Sequence, residues 1–119
     1  MLTRYKNGII YVVRGDSGEF DVSLNVGTNI LPRYLNSDNL TVYFGVMEPN
    51  QPFETAILRQ KYDSSSIQNN CVKIKLRPQD TRCLLPGKYY YQIKIEDIHI
   101  DGSSDVYTVV DKTQFFITE

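Results

Sequence analysis

Residues 19–26 alternate without a break: Phe20, Val22, Leu24 and Val26 fall on one parity, Glu19, Asp21, Ser23 and Asn25 on the other. Successive side chains of a strand point to opposite faces, so the segment predicts a strand with one face in a core and one in water. The pattern returns in residues 71–77, where Val72, Ile74 and Leu76 alternate with Lys73, Lys75 and Arg77. It returns most clearly in residues 88–96, with Tyr89, Tyr91, Ile93 and Ile95 on one face and Tyr90, Gln92, Lys94 and Glu96 on the other. Residues 9–13 are a continuous apolar run, and residues 40–47 are apolar on both parities, which predicts a central strand. Residues 57–62 and 106–118 complete a set of seven.

The segments between them are turn-formers. Arg14-Gly15-Asp16-Ser17-Gly18 reads as a turn in which the glycines supply positive φ. Residues 27–38 form a longer connection containing Pro32, with room for a short edge strand. In residues 48–54, Pro49 and Pro52 remove two ladder donors, so this stretch is a loop. Residues 78–82 suit one helical turn, Pro86-Gly87 a type II turn, and residues 101–105 a hairpin tip. No amphipathic helix of three turns can be drawn. The expectation is one domain over residues 1–119, its core at about 9–117, built as an immunoglobulin-like antiparallel β-sandwich of about seven strands with no long helix.

Tyr89 follows the corner at residues 80–87 and reads either as a corner tyrosine returning its hydroxyl to the backbone or as a core aromatic with its hydroxyl at the rim. If the second and fifth strands are neighbours, Glu19 and Asp21 face the row Lys73, Lys75, Arg77, with Arg59 and Lys61 extending it as a solvated stripe. Cys71 and Cys83 are placed at the same end of the sandwich as free thiols.

Composition agrees with the pattern and narrows the chemistry. Val, Ile, Thr, Tyr and Phe make up 43 of 119 residues against a single alanine, Ala56. These are strand formers, and the best helix former is almost missing. The formal charge is -1, which removes electrostatics as the engine of nucleic-acid or anionic-membrane binding. The first residues, Met1 to Lys6, hold no apolar signal region, and folding in a reducing cytosol is expected. Catalysis has little to work with. His99 is the one histidine, and with Cys71 and Cys83 it makes at most three zinc ligands at no recognised spacing. Asp97, Asp101 and Asp105 lack the calcium-loop pattern, and no phosphate-cradling glycine loop is present. The reading is a chain that is not an enzyme and carries no cofactor and no metal.

Three stretches bear a resemblance. Val13-Arg14-Gly15-Asp16-Ser17-Gly18-Glu19-Phe20 resembles the opening of immunoglobulin-like domains at the N-termini of tailed-phage upper-baseplate and fibre-attachment proteins. Val42-Tyr43-Phe44-Gly45-Val46-Met47-Glu48-Pro49 and Leu84-Leu85-Pro86-Gly87-Lys88-Tyr89-Tyr90-Tyr91-Gln92-Ile93 are similar to small phage virion proteins of that type. Baseplate proteins of this type continue into a coil or fibre, whereas this sequence stops at Glu119. The resemblance therefore implies a stand-alone virion structural protein, an adaptor or decoration domain made in the host cytoplasm and docked on capsid (as a head fibre) or baseplate. Its partners would be capsid, portal, tail or fibre subunits and further copies of itself, with no nucleic acid and no membrane. The alternative is a carbohydrate- or receptor-binding module using exposed tyrosines.

An interface on a sandwich must use an outer face, an edge or an end loop. The loop residues Pro49, Pro52 and Phe53 are the first choice, with Phe53 read either as an interface aromatic or as a plug over one end of the core. Tyr90, Gln92 and Lys94 on the outer face of their strand are the second. Tyr89, Gly87 and Gly15 are assigned structural roles.

Overall fold

The computed structural model describes residues 1–26, 29–30, 39–68 and 70–119. Among them the chain is mostly β, with one helix of five residues. The strands are β1 (Leu2–Arg4), β2 (Ile10–Val13), β3 (Gly18–Ser23), β4 (Asn25–Val26), β5 (Asn29–Ile30), β6 (Leu40–Met47), β7 (Leu58–Tyr62), β8 (Ile67–Gln68), β9 (Cys71–Leu76), β10 (Gly87–Ile98) and β11 (Ser104–Thr118). The helix α1 (Pro78–Arg82) lies between β9 and β10. A six-stranded sheet in the order β1-β2-β11-β10-β6-β7 curls as a half-barrel over a three-stranded sheet, β3-β9-β8, and β4 and β5 form a separate ladder.

The six-stranded sheet is mixed, which corrects the wholly antiparallel expectation. β2 runs parallel to β11, pairing Ile10 with Phe115 and Val12 with Ile117. Alternation encodes which face a residue takes and is silent on strand direction. The expected run through residues 19–26 also breaks, because β3 ends at Ser23 and a new ladder starts at Asn25. β1 and β8, only three and two residues long, were below what periodicity can detect. The connection around Pro32 lies outside the described residues, apart from β5.

The alternating positions supply the core. Phe20, Val22, Val72, Ile74 and Leu76 from the small sheet face Val42, Phe44, Tyr91, Ile93, Ile95 and Phe115 from the large one, all buried. The rings of Phe20, Phe44 and Phe115 surround Tyr91 at 6.0–6.1 Å between centroids. The buried Tyr91 hydroxyl donates to the Gly8 carbonyl at 2.5 Å and accepts from Arg4 Nε at 3.3 Å, so its polar atom costs little in the core.

Side chains close both open sides between the sheets. On one side Arg4 donates to the Asp21 carbonyl at 3.4 Å and lies 5.4 Å from the Phe20 ring centre. On the other, Tyr62 Oη accepts from the Lys75 backbone N–H at 3.0 Å and Gln60 Nε2 donates to the Lys75 carbonyl at 2.7 Å. β8 pairs only with the start of β9, so Tyr62 and Gln60 occupy ladder groups that would otherwise form an open edge. Burial pushes the Tyr62 hydroxyl pKa up.

Gly15 sits at φ 82, and its N–H donates to the buried Thr81 Oγ1 in α1 at 2.9 Å. Gly87 does not take the third position of a type II turn. Its φ is 155, against about 80 for that position, and it already pairs with Ile117 as the first residue of β10. Tyr89 hydroxyl donates to the Leu85 carbonyl at 2.7 Å, closing the corner that leads into β10. The free thiols Cys71 and Cys83 fall at opposite ends of β9 and α1, not at one end as expected, because β9 carries the chain across the sheet between them.

Candidate functional site

The outer face of the six-stranded sheet brings most of the expected interface residues together. Register places Tyr90, Gln92 and Lys94 of β10 opposite Met47, Gly45 and Tyr43 of β6, on the parity that points away from the core. β7 adds Arg59 opposite Gly45 and Lys61 opposite Tyr43. Those two cations therefore project from the large sheet, whereas Lys73, Lys75 and Arg77 belong to the small one. There Lys73 pairs with Glu19 at 3.5 Å, the cross-strand neighbour relation expected from the charge pattern.

The loop between β6 and β7 folds back onto this face. Gln51 ties it down, its Oε1 accepting from the Glu48 N–H at 2.9 Å and its Nε2 donating to the Thr55 carbonyl at 2.5 Å. The Pro52 carbonyl accepts from Thr55 N–H at 3.2 Å, forming a single 3-10 turn over Phe53–Thr55. Phe53 packs against Gly45, where a Cβ would stand 2.8 Å from its Cε2, and Lys94 Nζ lies 5.1 Å from its ring centre. The ring is half-buried, the neighbouring Ala56 and Met47 are buried, and Pro49 and Pro52 are exposed. Phe53 thus neither plugs an end of the core nor stands free; it covers the back of the sheet.

Beside Phe53 runs a shallow groove of about 320 Å³ lined by Tyr43, Phe53, Glu54, Arg59, Lys94, Glu96 and Val106. Tyr43 Oη donates to Glu96 Oε1 and Ser104 Oγ to Glu96 Oε2, each at 3.0 Å. Burial first, then the hydrogen bond to Glu96, raise the Tyr43 pKa.

Farther along the face the rings are bracketed by cations. Tyr90 has Lys88 Nζ at 5.5 Å and Lys112 Nζ at 5.8 Å from its ring centre. Next to Lys112 the pairing is irregular: the register slips twice between Tyr91 and Lys94, so four residues of β11, Val109 to Lys112, oppose two of β10, Gln92 and Ile93. Such a bulge re-aims side chains. Asp111 Oδ1 stabilises it, accepting from Gln92 Nε2 at 3.0 Å. At the β2 side, Tyr11 stacks on Phe116 at 4.7 Å and Tyr5 meets Tyr11 edge-on at 5.6 Å.

Tyr11, Phe116, Tyr43, Lys88, Lys112 and Gly45 were not singled out from sequence. Phe116 had a signal in the alternation of Phe115 and Ile117 inward with Gln114 and Phe116 outward. Tyr11 had none beyond sitting in an apolar run, since its stacking depends on the parallel pairing. His99 lies at the far end of the β10–β11 hairpin, exposed, its Nε2 2.9 Å from Asp105 Oδ2. That hydrogen bond raises the His99 pKa, and the charges of Asp97, Asp105 and Asp101 add to it.

No family model, no curated protein and no solved structure matches this chain.

Proposed function

We propose that the chain is a non-catalytic docking domain, a tailed-phage virion structural protein acting as an adaptor or decoration module on capsid or baseplate. The observation that carries the docking reading is the open aromatic face: Tyr90 between Lys88 and Lys112, beside the Tyr11–Phe116 stack. Large rings held in place by neighbours lose little entropy on binding, and aromatic residues are enriched where proteins meet. The exposed Pro49 and Pro52 flank the same end of the sheet, beyond Met47, which pairs with Tyr90. The virion assignment is supported by the resemblance in residues 13–20, 42–49 and 84–93.

The proposal includes an immunoglobulin-like sandwich. Its support is the strand order β2-β11-β10-β6-β7 facing β3-β9-β8, with a hydroxyl-to-backbone bond from Tyr89 at the corner.

The test is co-sedimentation of the purified full chain with particles of the phage that encodes it, together with density for it in a map of the particle. Tyr90→Ala should lower the bound fraction about tenfold, as for a central aromatic anchor, with far-UV circular dichroism unchanged. Equal binding by the variant overturns the surface assignment, and absence from particles overturns the virion assignment. The second reading, a carbohydrate-binding module, is favoured by the exposed Tyr5 and Tyr11 rings next to Phe116. Micromolar glycan binding lost in Tyr11→Ala, without particle association, would establish it.

A further inference from the structure

The loop that joins β1 to β2 is closed by two backbone bonds, Tyr5 N–H to the Ile9 carbonyl and Gly8 N–H to the Tyr5 carbonyl, each at 2.9 Å. Gly8 takes φ 90, as the last residue of a three-residue hairpin loop does. It is buried, and a Cβ there would stand 3.4 Å from Tyr91 Oη and from Thr113 Cγ2, so backbone and packing both call for glycine. Asn7 before it is exposed, and its Oδ1 accepts from the Ile9 N–H at 3.1 Å. That bond folds the carboxamide back over the Gly8 peptide. Each residue thus has its own structural reason, and side by side they form the single Asn-Gly pair of the chain. Every other asparagine is followed by a residue with a side chain, which crowds the approach of that residue's nitrogen to the carboxamide.

We propose that Asn7 is a site of spontaneous deamidation whose isoaspartyl product unfastens the β1–β2 turn from the core. The Gly8 nitrogen attacks Asn7 Cγ. The N–Cγ bond forms, the Cγ–Nδ2 bond breaks, and the amide nitrogen leaves as ammonia carrying the proton from Gly8. Water then opens the cyclic imide, its hydroxyl adding to one carbonyl carbon and its proton returning to the Gly8 nitrogen. Opening at Cγ restores the ordinary backbone with a carboxylate at position 7. Opening at the backbone carbonyl instead routes the chain through Cγ and lengthens it by one methylene. The Ile9 N–H assists the first step, since a donor on Oδ1 stabilises the negative charge that gathers there during attack. The Gly8–Tyr5 bond has to open first, at a turn where Tyr5, Lys6 and Asn7 are all exposed. The consequence lies in the core. The Gly8 carbonyl is the acceptor of the buried Tyr91 hydroxyl, and Arg4, just before the turn, donates to the same oxygen. An extra methylene shifts that carbonyl and leaves the Tyr91 donor unpaired among apolar neighbours, which is costly. The turn also carries Tyr5, which meets Tyr11 edge-on, so the change reaches the outer face. The inference stands whatever that face binds.

The test is to age the folded full chain in mildly alkaline buffer and to follow the chymotryptic peptide of residues 6–11 by chromatography and mass spectrometry. Two products of equal mass, each differing from the parent by replacement of NH with O, should accumulate at Asn7 ahead of every other asparagine, the isoaspartyl form in excess. That form, separated by ion exchange, should unfold at lower urea than the unaged chain. Asn7→Asp, the ordinary-backbone product, should keep a midpoint near the wild type, because its carboxylate still accepts from the Ile9 N–H. Asn7→Gln, whose attack would need a larger ring, should gain no such product. In Tyr91→Phe, which has no hydroxyl to strand, the gap between isoaspartyl and unaged chains should shrink. A folded chain that stays intact at Asn7 while the urea-unfolded chain converts overturns the proposal, because the turn then protects the pair. An isoaspartyl form that unfolds like the unaged chain overturns the link to the core, as does an equal gap in Tyr91→Phe or an equal loss in Asn7→Asp.

Discussion

Gly45 and Phe53 make a pair whose energetics reverse sign with context. A glycine inside a strand normally costs about 0.5–1 kcal/mol relative to alanine, so Gly45→Ala, in the middle of β6, would be expected to stabilise. Here the new Cβ would lie 2.8 Å from Phe53 Cε2 and 3.2 Å from Ala56 Cβ. The ring must lift, which costs about 1–3 kcal/mol as overpacking does and outweighs the gain. Phe53→Ala alone removes a half-buried ring. A fully buried phenylalanine is worth ~3–5 kcal/mol, so about 2 kcal/mol is expected, plus ~0.5–1 for the Lys94 contact. With Phe53 gone, the loop can yield at Ala56, and Gly45→Ala should become neutral or stabilising. Urea denaturation followed by circular dichroism on wild type, both single variants and the double variant gives the cycle, with coupling of about 1.5 kcal/mol or more. Unchanged m-values would show that the denatured state is the same in all four. Additive single effects would refute the placement of Phe53 on the back of β6, and with it the account of why this loop is ordered.

Gly15→Ala should cost about 1–2 kcal/mol by chemical denaturation, because φ is 82 there while a Cβ would meet nothing within 4 Å; a neutral result would remove the backbone argument. Tyr62→Phe leaves the Lys75 N–H without its acceptor and should lower stability by about 1–2 kcal/mol; faster hydrogen exchange at Lys75 is the specific readout, and unchanged exchange would sink the edge-closing role. His99 should titrate above its ordinary value of 6.5 in the folded chain because of its bond to Asp105. A raised folded pKa gives stability that is fully present below the unfolded pKa and lost as pH rises through the folded one, so the hairpin tip should tighten on acidification through that window. An NMR titration of the ring in wild type and Asp105→Asn measures it, and identical midpoints would refute the pairing.

Much of the fold was legible because burial and alternation are the same fact seen twice. Every inward residue assigned in residues 71–77 and 88–96 is buried, and the helical turn at Pro78–Arg82 falls where proline at the first position and Asp80 three residues after Arg77 indicate. The Asp80 carboxylate accepts from the Arg77 N–H at 2.7 Å. What alternation cannot carry is the direction of β2 against β11, since Ile10 and Val12 would face the core in either sense. Short strands escape for a related reason. Leu2–Arg4 gains its place from Leu2 against Gly18 and Arg4 against Phe20, contacts distant in sequence.

The site divides along the same line. Tyr90, Gln92 and Lys94 could be assigned to one outward face from their spacing alone, because that requires only the period of β10. Phe53 could not be placed, because its position depends on a glycine three strand residues before the loop leaves the sheet. A side chain at Gly45 would deny the ring its seat, so the missing Cβ is as informative as any aromatic in the loop. Lys112 flanks Tyr90 where the irregular stretch of β11 begins, and Tyr11 stacks on Phe116 as its partner in the parallel β2–β11 ladder. The outer face therefore carries three departures from regular antiparallel sheet: a glycine, a bulge and a parallel strand. The glycine seats the Phe53 ring and the parallel ladder carries the Tyr11–Phe116 stack, which is the reason to look for function on this face rather than on the small sheet, where Lys73 and Glu19 pair diagonally across regular strands.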